Sequence, residues 1–347
     1  MTAEATSPQG LDLAALQRYF EVHVPDTAGP LRAELLHGGR SNLTYLVTDG
    51  HSRWVVRRPP LGVLTPSAHD MGREYRIVAA LQGTGVPVAR AVALCEDPGA
   101  LGAPFCVVSH VAGTVLRTHE DLHALPQADI DRCATALVEV LARLHAVPYE
   151  EVGLTGFGRP EGYLTRQVRR WRDQWSRVAT RELPDLDTLH QRLAAEVPAE
   201  SGAAVVHGDY RIDNAILDPA DPGTVRALVD WEMATLGDPL ADLAMTLVYR
   251  DPAFDPVLGG SAASTSDRLP SPRDLAEQYA RASGRDLERL AFYLGLGYFK
   301  IAVIAEGIHA RHQAGMTVGH GFETVGDAVP LLAAAGLRAL AEGNPSS

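Results

Sequence analysis

The spacing of the hydrophobic positions changes along the chain and predicts two kinds of structure. Leu13, Leu16 and Phe20 recur at helical spacing and predict a short first helix. A second helix is predicted from about Ser67, a good N-cap residue, to Leu81. Short apolar runs separated by polar turns predict strands at 31–37, 43–48, 53–58, 88–94 and 105–111. This part of the chain therefore predicts a small, mostly antiparallel sheet that carries one helix.

Beyond Gly113 the hydrophobic pattern is mainly helical. Apolar stripes at helical spacing lie at 128–146, 163–181, 287–312 and 321–342. Between 204 and 231 three short apolar pieces alternate with polar loops, whereas 251–272 is rich in Gly, Ser and Pro and predicts a mobile segment. We expect an α+β chain with an N-terminal helical extension at 1–30, a sheet lobe at 31–110 and a larger, mainly helical lobe at 111–347.

Composition and charge narrow the class of protein. The 347 residues are 46% hydrophobic and 21% charged, which argues against a disordered chain. The net charge of −12 disfavours nucleic acid or an anionic membrane as a partner. The N-terminus has no basic start followed by an apolar run, and Cys95, Cys106 and Cys133 lie in apolar surroundings. We therefore expect a cytoplasmic protein whose thiols belong to the core.

Lysine is nearly absent from the chain. Lys300 is the only lysine among the 31 basic residues, and the rest are arginines. Any mechanism that needs a lysine on an N-terminal strand or in a phosphate loop is thus excluded, unless arginine takes its place. Lys300 lies far along a predicted C-terminal helix, and we expect no role for it in the chemistry.

The densest group of polar residues is HGDYRIDN at 207–214, directly after the apolar run that ends at Val206. Asp209 and Asn214 stand five positions apart, as do the catalytic-loop Asp and Asn of kinases, where the Asp accepts a hydroxyl proton and the Asn holds Mg²⁺. The next predicted strand, RALVD, ends at Asp230, where a second metal-binding carboxylate of a phosphotransferase is expected. The combination predicts phosphoryl transfer.

The N-terminal strands carry a second, independent signal. Val55 and Arg57 share one face of the strand 53–58, because side chains alternate along a strand. In a kinase the corresponding positions line the adenine pocket and contact phosphates. Glu74, on the following helix, is placed to pair with Arg57. The turn GGRSN at 38–42 could cover phosphates with its backbone N–H groups, and its candidate residues are Gly39, Ser41 and Asn42.

These segments resemble the aminoglycoside phosphotransferase or kinase-like family. The likeness is closest to the branch related to the kinase-like domains of certain acyl-CoA dehydrogenase fusion proteins. It is carried by GGRSNLTYLV (38–47), WVVRRPP (54–60), AHDMGREYRIVAAL (68–81), HGDYRIDNAILD (207–218) and VDWEMATLGDPLADLA (229–244). The resemblance implies a bilobal protein-kinase-like fold that uses ATP and Mg²⁺ and transfers phosphate to a small-molecule hydroxyl. Arginine at the Arg57 position is usual in this branch, but no Gly-x-Gly-x-x-Gly occurs in the first hairpin.

The resemblance also implies roles for individual residues. Asp209 would be the catalytic base, and Asn214 and Asp230 would be metal ligands. Structural support is implied for His207, Asp238 and Asp242, and the spacing of the two aspartates by itself favours helix capping. The hinge, FCVVSHVAG at 105–113, would contact adenine through the backbone around Ser109, His110 and Val111.

A competing motif is HEDLH at 119–123, which satisfies the zinc-hydrolase pattern His-Glu-x-x-His. His119 and His123 could bind zinc with Glu120 as the base. However, the segment is polar and is cut by Pro126, whereas a zinc hydrolase of this type needs a long buried helix. Another alternative class, a nucleotide-binding pseudokinase that acts as a scaffold, is disfavoured by the intact Asp209, Asn214 and Asp230.

The nature of the acceptor is left open by the sequence. A segment rich in arginine and tryptophan, 159–181, predicts a solvated basic face, with a second interpretation as a binding surface for an anionic acceptor such as a CoA thioester. The candidate contacts are Arg166, Arg169, Arg172 and Trp175. The C-terminal part carries most of the negative charge, which would suit a cationic aminoglycoside. The arginines and the family branch favour a hydroxyacyl-CoA-like metabolite slightly.

Overall fold

The structure, a computed structural model, describes residues 7–25, 27–37, 42–61, 69–258, 260–317 and 321–343. The chain divides into two compact units. The first unit comprises Met1–Ala112 and Ala227–Glu232, and the second comprises Gly113–Arg226 and Met233–Ser347. A short segment that includes Asp230 therefore belongs to the first unit, although it lies far along the sequence.

The first unit is an antiparallel sheet with one main helix. Its elements are α1 (Leu13–His23), β1 (Arg32–His37), β2 (Leu43–Thr48), β3 (Arg53–Arg58), α2 (Met71–Leu81), β4 (Ala91–Cys95), α3 (Pro98–Leu101) and β5 (Phe105–Ser109). The strand order is β1-β2-β3-β5-β4, and every neighbouring pair is antiparallel. The prediction of a small antiparallel sheet is confirmed.

The N-terminal helix α1 is part of the core of this unit. Leu13, Leu16 and Phe20 are buried in a hydrophobic cluster that includes Tyr45 and Trp54. The rings of Phe20 and Trp54 meet edge to face, with centroids 5.3 Å apart. Burial of this apolar face stabilises the helix, because short isolated helices are marginal in water.

Helix α2 begins later than its sequence pattern predicts. The side chain of Asp70 accepts a hydrogen bond of 3.0 Å from the Arg73 N–H, which makes Asp70 the N-cap. The expectation that Ser67 caps the helix is wrong, and Ser67 itself lies outside the described residues. The later start leaves Glu74 in the first turn of α2, buried on the face of the helix that turns to the sheet.

The second unit is mainly helical. Its elements are α4 (His119–His123), α5 (Gln127–His145), α6 (Tyr163–Val178), α7 (Pro184–Ala195), β6 (Ala204–Val206), β7 (Ala215–Leu217), β8 (Val225–Leu228, of which the last two residues belong to the first unit), β9 (Thr235–Gly237), α8 (Pro239–Val248), α9 (Asp255–Leu258), α10 (Pro272–Ser283), α11 (Leu290–Gln313) and α12 (Val325–Glu342). Strands β6 and β9 pair antiparallel and hold the loops that precede and follow them. The prediction of a mainly helical second lobe is confirmed.

Helix α11 is long and apolar enough to cross a membrane by length and composition alone. Most of its apolar stretch is buried, and it packs against α12, α8, α6 and α7. Burial within the unit explains its hydrophobicity, as in the core helix of a globular domain.

The expectation of a mobile segment at 251–272 is wrong for the residues that the structure describes there. This stretch contains short helical turns, and Ser264, Thr265 and Ser266 are buried. The guanidinium of Arg250 donates to several of its backbone carbonyls, including those of Ser266 (2.7 Å) and Leu269 (3.1 Å). Arginine has five N–H donors in a fixed fork, so one side chain can fix several turns of a loop.

Candidate active site

The predicted catalytic loop, 207–214, follows β6 and ends in a 3-10 turn, Ile212–Asn214. Gly208 adopts a left-handed conformation with φ +82°. A Cβ atom at this position would lie only 2.7 Å from the Met233 carbonyl oxygen, so only glycine fits. The chain thus makes a tight turn immediately before Asp209.

Asp242 fixes this turn through hydrogen bonds to its backbone. Its carboxylate accepts hydrogen bonds from the backbone N–H groups of His207 (2.6 Å) and Gly208 (2.8 Å). His145 Nε2 lies 3.2 Å from Asp242 Oδ2, and Nδ1 of the same ring meets the Tyr279 hydroxyl at 2.7 Å. Burial opposes the charge of Asp242, but the His145 contact and the backbone donors hold the pKa of this carboxyl below its usual value. Asp242 therefore supports the loop.

Asp238 supports helix α8 rather than the loop. It is the N-cap of α8 and accepts from the Leu240 N–H at 3.0 Å. Its other oxygen accepts from the Ser201 N–H (2.7 Å) and from the hydroxyl of Tyr293 (2.8 Å). A fully buried carboxylate with this many donors fixes the start of the helix that carries Asp242.

Asp209 is surrounded by hydrogen-bond donors. Tyr249 donates from its hydroxyl to Oδ1 at 2.7 Å, and Arg211 Nε lies 3.2 Å from the same oxygen. Asn214 Nδ2 donates to Oδ2 at 3.1 Å. Burial by itself would raise the pKa of Asp209, but the charge of Arg211 and the hydrogen bond from Tyr249 outweigh it and hold the pKa below its usual value. The carboxylate is therefore ionised and fixed in orientation at neutral pH.

Asn214 is oriented by the same network. Its amide nitrogen donates both to Asp209 Oδ2 and to the Asp209 carbonyl oxygen, at 2.9 Å. Both N–H donors are thus used within the loop, and the amide oxygen remains as an acceptor. A carbonyl oxygen is the kind of ligand that Mg²⁺ takes, so Asn214 fits the predicted metal role.

In the first unit, Arg57 bridges two carboxylates. Its Nη1 lies 3.2 Å from Glu74 Oε2, and its Nη2 donates to Asp230 Oδ1 at 3.3 Å. The predicted pairing of Arg57 with Glu74 is present, and Asp230 joins it. Arg57 Nε is buried and has no hydrogen-bond partner within the described part of the chain. Val55 shares the half-exposed face of β3 with Arg57, opposite the buried Trp54.

Asp230 reaches this network through a strained backbone. Its φ is +65°, a conformation that few non-glycine residues adopt and that clusters at functional sites. The chain just before it is held by a parallel bridge between Leu228 and Val88, with a 2.8 Å hydrogen bond from the Leu228 N–H to the Pro87 carbonyl. The bridge therefore fixes the segment that places Asp230 within hydrogen-bond distance of Arg57.

Negative charge exceeds positive charge in this cluster. Glu74 and Asp230 contact the Arg57 guanidinium, and Asn42 Nδ2 donates to Glu74 Oε1 at 2.7 Å and to Glu232 Oε2 at 3.4 Å. Burial, helped by Asp230 and Glu232, raises the pKa of Glu74 to about 7 despite the charge of Arg57. Mg²⁺ prefers oxygen ligands, so the Asp230 carboxylate fits its predicted metal role.

Of the nucleotide contacts predicted in the turn 38–42, the structure describes Asn42. Asn42 is buried in the cluster, and its Oδ1 has no hydrogen-bond partner among the described residues. Gly39 and Ser41 lie outside the described residues. In the predicted hinge, the N–H of Ser109 donates to the Arg90 carbonyl and the N–H of His110 donates to the Arg53 carbonyl. Val111 lies beyond the end of β5.

Three of the four candidate acceptor contacts on α6 have structural partners. Arg172 forms an ion pair with Asp187 at 2.5 Å, and the indole N–H of Trp175 donates to the same oxygen at 3.2 Å. Arg166 donates to the carbonyls of Glu161 and Arg159. These contacts favour the interpretation as a structural face for those residues. Arg169 is exposed on the same helix and stays a candidate for acceptor binding.

The zinc-hydrolase motif does not form a metal site. HEDLH is the five-residue helix α4, and Asp121 is used in a capping box with Thr118. His119 Nε2 meets the Thr265 hydroxyl at 3.0 Å. Across the residues that the structure describes, no three or more His, Cys, Asp or Glu side chains are grouped to hold a metal.

Three residues that the sequence does not predict as functional contact the loop at Gly208 and Asp209. Tyr249 and Arg211 contact Asp209 directly, and Lys300 Nζ lies 3.3 Å from the carbonyl oxygen of Gly208. Arg211 stands inside the HGDYRIDN motif and could have been found there. Tyr249 and Lys300 lie on other elements, so no local signal identifies them. Lys300 was expected to have no role in the chemistry, and the structure places its ammonium beside the predicted catalytic loop.

Comparison with known proteins shows the family of the chain. A family profile, "APH: Phosphotransferase enzyme family", matches residues 32–293. Acyl-CoA dehydrogenase family member 11 from Gallus gallus is 36% identical over 327 residues, which are 90% of this chain; the chain spans only 41% of that relative.

Solved structures agree with the family profile. A Ralstonia eutropha JMP134 protein assigned to the aminoglycoside phosphotransferases has a TM-score of 0.83 and 31% identity, and the match covers 96% of this chain and 99% of that chain. A thermostable mutant of APH(4)-Ia, in ternary complex with ADP and hygromycin B, has a TM-score of 0.61 over 95% of this chain and 98% of that chain. At 16% identity the latter likeness shows the fold alone. The chain therefore belongs to the APH phosphotransferase enzyme family and has the kinase-like fold predicted from its sequence.

Proposed function

We propose that the protein transfers the γ-phosphoryl group of ATP to a hydroxyl of a small molecule, with Mg²⁺ as the metal ion and Asp209 as the base. The observation that carries this proposal is the environment of Asp209. Its carboxylate is ionised by its donors and is fixed by Tyr249, Arg211 and Asn214. A preorganised carboxylate can orient an acceptor hydroxyl and take its proton as the new P–O bond forms.

The remaining residues would handle the nucleotide. Arg57, whose Nε has no partner among the described residues, would steady phosphate oxygens with its planar guanidinium. The amide oxygen of Asn214 and the carboxylate of Asp230 would hold Mg²⁺, which would neutralise charge on the phosphates. Solved APH(4)-Ia structures bind ADP or AMP-PNP, which supports ATP as the donor here.

For the acceptor we favour a hydroxyacyl-CoA-like metabolite over an aminoglycoside. The relative with 36% identity is an acyl-CoA dehydrogenase family member, so an acyl-CoA thioester is a natural acceptor class for its branch. Arg169 and Arg170 are exposed on α6 and could pair with the phosphates of CoA. Against this, APH(4)-Ia, which shares the fold, is solved in ternary complex with ADP and hygromycin B.

An acceptor screen with labelled ATP tests the proposal. Purified protein is incubated with Mg²⁺-ATP and either hydroxyacyl-CoAs of several chain lengths, the corresponding free hydroxy acids, or aminoglycosides. We expect transfer to hydroxyacyl-CoAs, with the free acids as matched controls that lack the nucleotide portion. Transfer to aminoglycosides alone would contradict the acceptor class. Absence of both transfer and basal ATP hydrolysis would instead favour the nucleotide-binding pseudokinase.

A further inference from the structure

Lys300 occupies an unusual position for the single lysine of this chain. It extends from α11 to the catalytic loop, where Nζ lies 3.3 Å from the carbonyl oxygen of Gly208 and 5.8 Å from the ring centroid of Trp171. It is half-buried, and among the described residues it forms no ion pair within 4.0 Å. The ammonium therefore donates to a backbone carbonyl of the loop rather than to a carboxylate.

The peptide that Lys300 contacts is the one that leads into Asp209. A peptide unit is planar, so the direction of the Gly208 carbonyl fixes the direction of the Asp209 N–H and the start of its Cα. The Gly208 N–H is bound on the other side by Asp242, at 2.8 Å. The left-handed turn at Gly208 is thus held by an anion at its N–H and by a cation at its C=O.

The head group of lysine suits this position, although the basic residues of the chain are otherwise arginines. Lys300 lines a cavity of about 40 Å³ with Gly208, Asp242 and Trp171. An ammonium is compact and can donate to one carbonyl, whereas a guanidinium is planar and presents five donors that need more partners. Arg170 also lies over the Trp171 ring, 5.6 Å from its centroid, and a guanidinium offers no acceptor to Lys300.

We infer that Lys300 is a positioning residue that fixes the Gly208–Asp209 peptide and so aims the catalytic carboxylate. This inference rests on the proposed function, because it assigns Asp209 the role of base. It goes beyond the family's motif residues, since Lys300 lies outside all of them and on a helix 92 positions further along the chain. Burial lowers the pKa of the Lys300 ammonium, the charges of Asp209 and Asp242 counteract this, and Arg170 lowers it further.

The test replaces Lys300 by methionine, arginine and cysteine. Methionine is unbranched like lysine and only one atom shorter, and it carries no charge. In Lys300→Cys, alkylation with 2-bromoethylamine rebuilds a lysine-like amine, and alkylation with iodoacetamide gives a neutral matched control. The native Cys95, Cys106 and Cys133 are buried, which directs the reagent to the introduced thiol. Thermal melting of each variant checks that it is folded.

We expect Lys300→Met and the iodoacetamide product to lose about 10- to 100-fold in kcat, with the KM for ATP changed less than about 3-fold, since a small misplacement of a catalytic group has effects of this size. The bromoethylamine product should recover most of the activity, whereas Lys300→Arg should not. A folded Lys300→Met with wild-type kcat would overturn the inference. So would a bromoethylamine product that stays as slow as the neutral control.

A measurement without turnover separates this inference from the proposed function. Hydrogen exchange of the amides in 207–212 is followed in the nucleotide-free protein. Loss of the ammonium should speed exchange there, and the rebuilt amine should reverse the change. Unchanged exchange would contradict the inference even if the enzyme were active. If wild-type protein transferred no phosphate but exchange followed the charge at position 300, the proposed function would fail and the positioning role would stand.

Discussion

The hydroxyl of Tyr249 donates a 2.7 Å hydrogen bond to Oδ1 of Asp209, from the end of helix α8 to the loop after β6. Tyr249 is buried, so the bond is protected from competing water. It fixes one oxygen of the carboxylate, while Asn214 donates to the other. The side chain that would take the acceptor proton is therefore oriented before any substrate binds.

Tyr249→Phe should lower kcat by about 10-fold, because a hydrogen bond to a charged group contributes about 1.5–3 kcal/mol. Loss of this donor should also raise the pKa of Asp209, which moves the acid limb of the pH profile to higher pH. The measurement is kcat between pH 5 and 8. Tyr298→Phe is the matched control, because its hydroxyl donates to Asp251 instead, at 3.0 Å. Equal profiles for the two variants would contradict the role of Tyr249.

Asp209→Asn should reduce phosphoryl transfer by about 10²- to 10⁴-fold, the contribution expected of a general base. The side chain keeps its size, so we expect nucleotide binding, measured by calorimetry with Mg²⁺-ATP, to change little. Asp173→Asn, on the exposed face of α6, is a control with the same change of charge. Full transfer activity in Asp209→Asn would rule out the assignment of this residue.

Arg57→Lys should raise the KM for ATP by about 10-fold or more and change kcat less. Arg57 contacts Glu74 and Asp230 through two different nitrogens, and a lysine cannot reproduce this fork. The control is Arg53→Lys, an exposed arginine on the same strand. Steady-state kinetics with varied ATP gives both constants. An unchanged KM for ATP in Arg57→Lys would show that a point charge is enough at this position.

Glu74 should make the nucleotide-free protein less stable as the pH rises. Its pKa is raised from 4.5 to about 7, so between these values the folded protein keeps a proton that the unfolded chain has lost. The free energy of unfolding should fall through this range, by up to about 3 kcal/mol from this residue.

Glu74→Gln tests this dependence, because glutamine resembles the protonated acid and does not titrate. Relative to wild type, the variant should gain stability from pH 5 to pH 8 in urea unfolding. Glu139→Gln, on the exposed face of α5, makes the same change of charge outside the cluster. Parallel curves of stability against pH for wild type and Glu74→Gln would contradict the raised pKa.

Features that depend on residues close in sequence could be predicted from the chain itself. The alternation of side chains placed Val55 and Arg57 on one face of β3, and the bounds 43–48 and 53–58 agree with strands β2 and β3. The sequence pattern is wrong in predicting Ser67 as the N-cap and 251–272 as mobile, because a cap and an ordered loop depend on hydrogen bonds to particular side chains. Asp70 accepts the hydrogen bond that starts α2, and Arg250 binds the carbonyls that order the loop.

The sequence by itself determined the family, the antiparallel sheet, the helical lobe and the HGDYRIDN loop, because each is written in local spacing and motif. Only the tertiary structure decided which side chains complete the loop. Tyr249 is 40 positions from Asp209, and Lys300 is 92 positions from Gly208. Such pairs meet because helices α8 and α11 pack together in the second unit, and packing across that distance leaves no periodic trace in the sequence. The contact of the one lysine of the chain with the loop is therefore visible only in the tertiary structure.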